Sequence, residues 1–211
     1  TAPARLIAAR VSQSPEIAVQ VLRLGNSALF AEPVDTIERA IVRIGERTLR
    51  GLLLAATTYR LLEGAVTGYG FPRLYLLRHC GEVASMAQSL ARRGPSAFVG
   101  QAYLAGLLHD LGKPILATIA AERAIAIAPG ELTTIALERE LFGTDHARVG
   151  AWIARRWGLP EDICLAMERH HDPAPPAEAV ARPVWLADIA VHAAAGDPDA
   201  IARLPEAAAA C

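Results

Sequence analysis

The sequence predicts an all-α fold, and three observations carry that expectation. Apolar residues recur three and four apart through most of the chain, as in Ile37, Ile41 and Ile44 or Ile163 and Met167. The alternation of β-branched and polar residues that marks a half-buried strand is nearly absent. The periodic stretches are also bounded by residues that start and stop helices. No repeat of fixed period is visible.

Taken in order, Ser14-Pro15-Glu16 reads as an N-cap with proline in the first helical turn, opening a helix through Ile17, Val21 and Leu24 that Gly25-Asn26 closes. Asp35 and Glu38 read as a capping box ahead of Ile37, Ile41 and Ile44, with Gly45 as the stop. An apolar helix is expected over Thr48 to Glu63. The glycine- and proline-bearing stretch Gly64 to Pro72 then divides a smaller N-terminal helical subdomain, 1–66, from a second part, 72–211. Helices are expected next from Leu74 to Arg92, and from Ser96 to Leu111 with Gly112 and Pro114 as the stop. Glu131 to Phe142 follows, ended by Gly143. Thr144 should cap a helix reaching Trp157-Gly158, and Pro160 should open Glu161 to His171, closed by Asp172-Pro173. After a proline-rich loop from Pro173 to Pro183, a last helix is expected from Val184 to Ala195.

Bulk properties bound the function. With 211 residues, 53% of them apolar and 20% charged, the chain can bury a substantial core as one domain or two small ones. A net charge of −1 and the lack of any Lys/Arg tract give no footing for a polyanion, so no DNA partner is expected. Cys80, Cys164 and Cys211 are scattered and odd in number, which argues against a disulfide framework and for a reducing compartment. No apolar run approaches the ~20 residues that span a bilayer, and no charged-then-apolar leader is seen. A cytoplasmic protein away from membranes is the expectation.

Chemistry enters through the histidines. Six occur, and five fall in an ordered series with two aspartates: His79, the pair His109-Asp110, His146, the pair His170-His171, then Asp188. Imidazole and carboxylate hold borderline divalent metals such as iron, manganese, zinc or nickel. Seven such groups on separate segments suffice for two ions sharing a carboxylate. His79 shares a helix face with Val83 and Met86, and His170 with Ile163 and Met167, so each sits at the edge of a core. Singly, a buried histidine is more often a hydrogen-bonded structural residue than a ligand. His192, one turn after Asp188, is read in that plainer way. The combination points instead to a site for one or two divalent transition-metal ions.

Lys113 is the only lysine among arginines. It is either the remnant of a composition that replaces lysine by arginine, or a compact ammonium placed to meet an anionic substrate oxygen.

The run Gly106-Leu107-Leu108-His109-Asp110-Leu111-Gly112-Lys113 resembles the signature of the HD superfamily of metal-dependent phosphohydrolases. Within it the chain most resembles the HDOD domain, the HD-related output domain of bacteria. Ser14-Pro15, the stretch Leu24-Gly25-Asn26-Ser27-Ala28, Ala40-Ile41 and Ile44-Gly45 are similar to that family's first half. Glu140 to His146 and Trp157-Gly158-Leu159-Pro160 are similar to its second. The resemblance implies an HD-like helical core preceded by a smaller helical subdomain, and a signalling role beside regulatory proteins or domains. By similarity to the related HD-GYP phosphodiesterases, His79, His109, Asp110 and Asp188 would hold one metal. Asp110 would bridge to a second held by His146, His170 and His171, and Lys113 would contact a phosphate. After His170-His171 the chain reads Asp172-Pro173-Ala174-Pro175-Pro176 with no Gly-Tyr-Pro, so their cyclic dinucleotide substrate does not carry over.

Two function classes follow, with a third behind them. The first is a signalling module that binds a ligand or partner around an HD-type metal site. The second is a metal-dependent phosphohydrolase or phosphodiesterase acting on a nucleotide or cyclic nucleotide, with Asp110 and Lys113 in the reaction. The third is a di-iron oxygenase. The metal, the substrate, the partner and the oligomeric state are not written in the sequence.

Overall fold

A computed structural model describes residues 2–13, 18–19, 21–22, 25–26, 34–45, 49, 62, 66–95, 98–128, 130, 132 and 134–209. Among them the chain is helical, with no named strand and a lone antiparallel bridge between Val66 and Phe71. The helices are α1 Ala2–Val11, α2 Tyr75–Ala91, α3 Val99–Leu108, α4 Gly112–Glu122, α5 Ile135–Phe142, α6 His146–Arg156, α7 Glu161–Arg169, α8 Ala181–Ala194 and α9 Pro198–Ala209. Residues 37–45 are helical as well. No described helix is long and apolar enough to cross a membrane.

The all-α expectation holds, with its boundaries moved where tertiary packing overrode the punctuation. Most of the Ser14 opening and nearly all of the Thr48 to Glu63 helix lie outside the described residues. At Gly25-Asn26 the stop is made by the Asn26 side chain, which donates to the Val34 carbonyl at 2.8 Å and accepts from the Val34 N–H at 2.6 Å. The cap of the 37–45 helix is Thr36, whose hydroxyl accepts from the Arg39 N–H at 3.3 Å, rather than an Asp35–Glu38 box. Asp35 pairs instead with Arg39, and Glu38 with Arg5. α5 begins after Thr134, its N-cap, and Asp145 rather than Thr144 caps α6 by accepting from the Arg148 N–H.

The larger departures involve prolines. The helix expected to run to Leu111 ends at Leu108, and a new helix, α4, starts at Gly112 with Pro114 in its first turn. A proline there loses no hydrogen bond, because first-turn N–H groups have no intrahelical acceptor. Pro183 likewise sits in the first turn of α8, so that helix begins at Ala181 and shortens the expected loop. Helices α1 and α9 had no counterpart in the sequence reading.

Packing gathers the helices around one apolar interior. Val83, Ala87 and Ala91 of α2, Leu104 and Leu108 of α3, Ile163 and Met167 of α7, and Val184 and Ala187 of α8 form its main cluster. Val11, Val21, Val34, Ala40, Ile41 and Leu49 form a second cluster, against which Tyr103 of α3 packs. A third joins Leu62, Val66 and Tyr69 to Leu76, Cys80 and Leu132.

Two glycines set the distances that matter. A Cβ on Gly106 would lie 2.8 Å from Ala84 Cα, so α3 presses backbone to backbone against α2. A Cβ on Gly112 would overlap the backbone of His146, so the start of α4 rests directly on the start of α6. These contacts deliver His109-Asp110 to His79 on one side and to His146 on the other.

Candidate metal centre

His79 projects inward from α2. His109 and Asp110 occupy the turn between α3 and α4, where they are fully buried. His146 is the first residue of α6, His170-His171 follow the last turn of α7, and Asp188 is buried on α8. The structure thus brings all seven sequence-predicted residues to one place, with His171 half-buried and the other six buried. Met86, expected on the inward face beside His79, is instead 40% exposed. Val83 and Ala87 take that face.

Asp110 lies between two groups. Its Oδ1 is 3.2 Å from His146 Nε2 and 3.7 Å from His170 Nε2. Its Oδ2 is 3.4 Å from His109 Nε2 and 3.6 Å from His79 Nε2. His146 Nε2 is also 3.3 Å from His170 Nε2 and 3.1 Å from His171 Nε2. Asp188 Oδ1 is 3.2 Å from His79 Nε2 and 3.6 Å from His109 Nε2. Adjacent ligands each about 2.1 Å from one ion stand roughly 3.0–3.5 Å apart. The donors are therefore spaced like the edges of a coordination shell.

Among the described residues three sets offer ligand atoms mutually within 4.8 Å: Asp110 with His146, His170 and His171; His79 with His109 and Asp110; and His79 with Asp188 and His192. The first is the second-metal group that the resemblance implies. The other two share His79 and together hold the first-metal group, with His192 added.

The outer nitrogens are tied down, which fixes which ring atom faces inward. His109 Nδ1 lies 2.7 Å from the Gly106 carbonyl and His170 Nδ1 lies 2.6 Å from the Met167 carbonyl, so each donates there and turns Nε2 inward, where it offers a lone pair whenever the ring is neutral. His146 Nδ1 lies 2.7 Å from Glu138 Oε1, and Glu138 Oε2 accepts from the His146 backbone N–H at 2.7 Å. The Tyr69 hydroxyl donates to Glu138 Oε1 at 2.9 Å. Glu138 was not singled out by sequence reasoning. Its signal was a carboxylate interrupting the Ile135–Phe142 apolar stripe of a short helix.

Several inward atoms are orphaned. His79 Nε2, His109 Nε2, Asp110 Oδ1 and Asp188 Oδ1 are buried and make no hydrogen bond. Such an atom costs ~1–3 kcal/mol apiece unless something binds it. Those on His79, His109 and Asp188 face one another and Asp110 Oδ1 faces the His146 group, and such donors fit divalent cations.

Electrostatics divide the imidazoles. Burial and the charges of neighbouring histidines press His171 well below the usual range, and burial brings His170 down to about 4. Burial lowers His79 as well. Burial also opposes charge on His109, but Asp110 and Asp188 outweigh it and raise the ring to about 10. His146 is raised by Asp110 and Glu138 against burial and Lys113. Against the same burial, His109 and Lys113 hold Asp110 far below the carboxylate range, and His109 and His79 do so for Asp188. Both aspartates are anionic and three of the histidines resist protonation, so five of the seven groups keep a lone pair free of a proton. Such a cluster could hold a metal cation.

Lys113 is buried with Nζ 2.7 Å from Asp110 Oδ2, and 5.5 Å and 5.9 Å from the Phe71 and Tyr69 ring centroids. One of its three N–H donors is thus spent on the aspartate shared by both groups. Cys80 and Cys164 are buried free thiols, whereas Cys211 lies outside the described residues.

Comparison with known proteins decides the family. The HDOD domain model matches residues 1–173. This chain belongs to the HDOD family. The HDOD chain is 30% identical over 173 residues to Ribonuclease Y of Nitratidesulfovibrio vulgaris (strain DP4), covering 82% of itself and 25% of that protein. It spans 33% and 25% of the length of the first two curated relatives it matches. Among solved structures, a protein of Shewanella amazonensis SB2B provisionally named a phosphohydrolase superposes with a TM-score of 0.61 at 27% identity, covering 96% of the HDOD chain and 75% of its own. The MmoQ response regulator of Methylococcus capsulatus str. Bath shares the fold at 24% identity, with a TM-score of 0.50 and coverage of 97% and 85%.

Proposed function

We propose that this HDOD chain is a bacterial regulatory domain that keeps a working two-metal centre, and that the centre serves metal-dependent hydrolysis of a phosphoester. The observation that carries the reading is Asp110, whose two oxygens face two separate histidine groups with fixed tautomers. His79, His109, Asp110 and Asp188 would hold one divalent ion, and Asp110, His146, His170 and His171 the other. Paired divalent ions supply Lewis-acid charge and activate water for attack at phosphorus.

The remaining roles belong to the chain itself. Lys113 neutralises and orients Asp110 and keeps two N–H donors for a phosphate oxygen. Glu138 and Tyr69 hold His146 in its ligand orientation. The half-buried His171 and His192 mark the side from which a substrate or water enters. A nucleotide or another phosphate-bearing ligand is the class that such a cationic site recognises. Residues 1–66 would form the regulatory subdomain facing a signalling partner, and 72–211 the metal-bearing one, in the cytoplasm. Supporting names among the relatives are a ribonuclease, a provisionally named phosphohydrolase and a response regulator.

A second reading, a non-catalytic binding module, draws on the burial of the centre, since His109, Asp110 and His170 are at most 1% exposed. One experiment separates the two. Protein purified without chelators is assayed for bound metal and for hydrolysis of generic phosphodiesters and cyclic dinucleotides, beside Asp110→Ala. About two equivalents of metal with hydrolysis lost in the variant supports the enzyme. Metal without hydrolysis leaves the binding module, and metal below about a tenth of an equivalent removes the centre from both.

A further inference from the structure

His192 lies one turn after Asp188 on α8, so both side chains leave the helix on the face that meets α2. Its ring centroid is 4.7 Å from that of His79, and its Nε2 is 3.4 Å from Asp188 Oδ1. That separation is long for an imidazole–carboxylate hydrogen bond, which runs ~2.7–3.2 Å. Asp188 Oδ1 makes no hydrogen bond at all, and neither does His79 Nε2. The three residues nevertheless offer ligand atoms mutually within 4.8 Å.

A histidine that merely oriented Asp188 would close on it. Here both stop at the distance that separates two ligands of one ion, beside a third buried and unpartnered donor. His192 also occupies the last turn of α8, where the exposed carbonyl ends of the helix favour a cation. Its side chain is 29% exposed, against 7% for His79 and 5% for Asp188.

We propose that His192 is the solvent-facing ligand of the metal ion held by His79 and Asp188, an inference that rests on the two-metal reading above. With it, that end of the centre draws on His79, His109, Asp110, Asp188 and His192. The other end has Asp110, His146, His170 and His171. The first end is then the more saturated and binds its ion more tightly. The coordination positions left for water and a phosphate oxygen lie toward His146, His170 and His171.

Cobalt(II) titration of the metal-free full chain tests this, followed by visible absorption and by NMR of protein carrying ¹⁵N-histidine. On the first equivalent of cobalt, the His192 ring should move out of the diamagnetic range in the wild-type protein. His192→Ala should weaken that first equivalent by tenfold or more and remove one shifted ring signal, while the helical circular dichroism stays unchanged. If cobalt binds but the His192 ring stays unshifted, the inference is overturned and the two-metal reading stands. If the wild type binds no cobalt, both fall. The wild-type ring shift decides the matter by itself if His192→Ala does not fold.

Discussion

Asp110 and Glu138 show how much rides on single side chains here. Asp110 faces both groups and also balances the buried Lys113 ammonium. Asp110→Asn should therefore lower bound metal from about two equivalents to well under one, as read by elemental analysis. It should also cost ~3–5 kcal/mol in chemical denaturation of the metal-free protein, because it leaves a buried charge without its partner. Retention of both ions in that variant would sink the bridging role. Glu138→Gln keeps the shape but loses the anion that holds His146 Nδ1–H. Loss of such an outer partner costs ~10–100-fold in metal affinity, measurable by competition with a chromophoric chelator, and the weaker of the two ions should be the one affected. At this scale the histidine series and Asp110 were legible in the sequence, because metal-donor side chains are few and their clustering is visible in a list of residues. Glu138 was not, because a glutamate on a helix is ordinarily solvated and only the tertiary structure buries it between His146 and Tyr69.

At the scale of elements, the centre is held by close helix approaches that only glycine permits. Gly112→Ala would drive a methyl into the His146 backbone and separate α4 from α6. Overpacking of this kind typically costs ~1–3 kcal/mol, and here the displaced residue is the proposed ligand His146. Denaturant midpoint and metal content should fall together, whereas Gly143→Ala, with open space around its Cβ position and only its positive φ of 70° to strain, should lower the midpoint and spare the metal. A Gly112→Ala protein with full metal and wild-type stability would refute the close contact. The same elements mark where sequence reading failed. Pro114 was read as a stop and Pro183 as the end of a loop, yet both fall in first turns. Proline punctuation is ambiguous between the end of one helix and the start of the next, and the neighbours that bury the new helix decide it.

For the whole molecule, charge burial sets the response to pH and to metal. Burial lowers His170 to about 4 from an ordinary 6.5 and lowers His79 and His171 too, so the unfolded chain takes up protons that the folded one refuses. The metal-free protein should lose stability as pH falls from about 6.5 toward 4. His109 acts in the opposite sense. Raised to about 10, it contributes stability that is complete below about 6.5 and is lost as pH rises toward 10. Urea midpoints taken with chelator should peak near neutrality, and a midpoint higher at pH 5 than at pH 7 would contradict the imidazole assignment. Metal should stabilise by mass action, ~2.7 kcal/mol at a hundredfold excess over Kd. For a chain of this size that is a rise of roughly 5–11 °C in Tm, reversible by chelator.

The sequence by itself determined the helical class, the HDOD family resemblance and the roster of seven metal-competent side chains. Periodicity, turn chemistry and side-chain type are local properties and can be read along the chain. Only the tertiary structure decided that Asp110 stands between two groups, that Lys113 spends a donor on it, that Glu138 anchors His146, and that His192 joins Asp188 and His79. Those facts depend on which backbones touch. Contact between α3 and α2 at Gly106, and between α4 and α6 at Gly112, joins residues far apart in the chain that no local pattern relates.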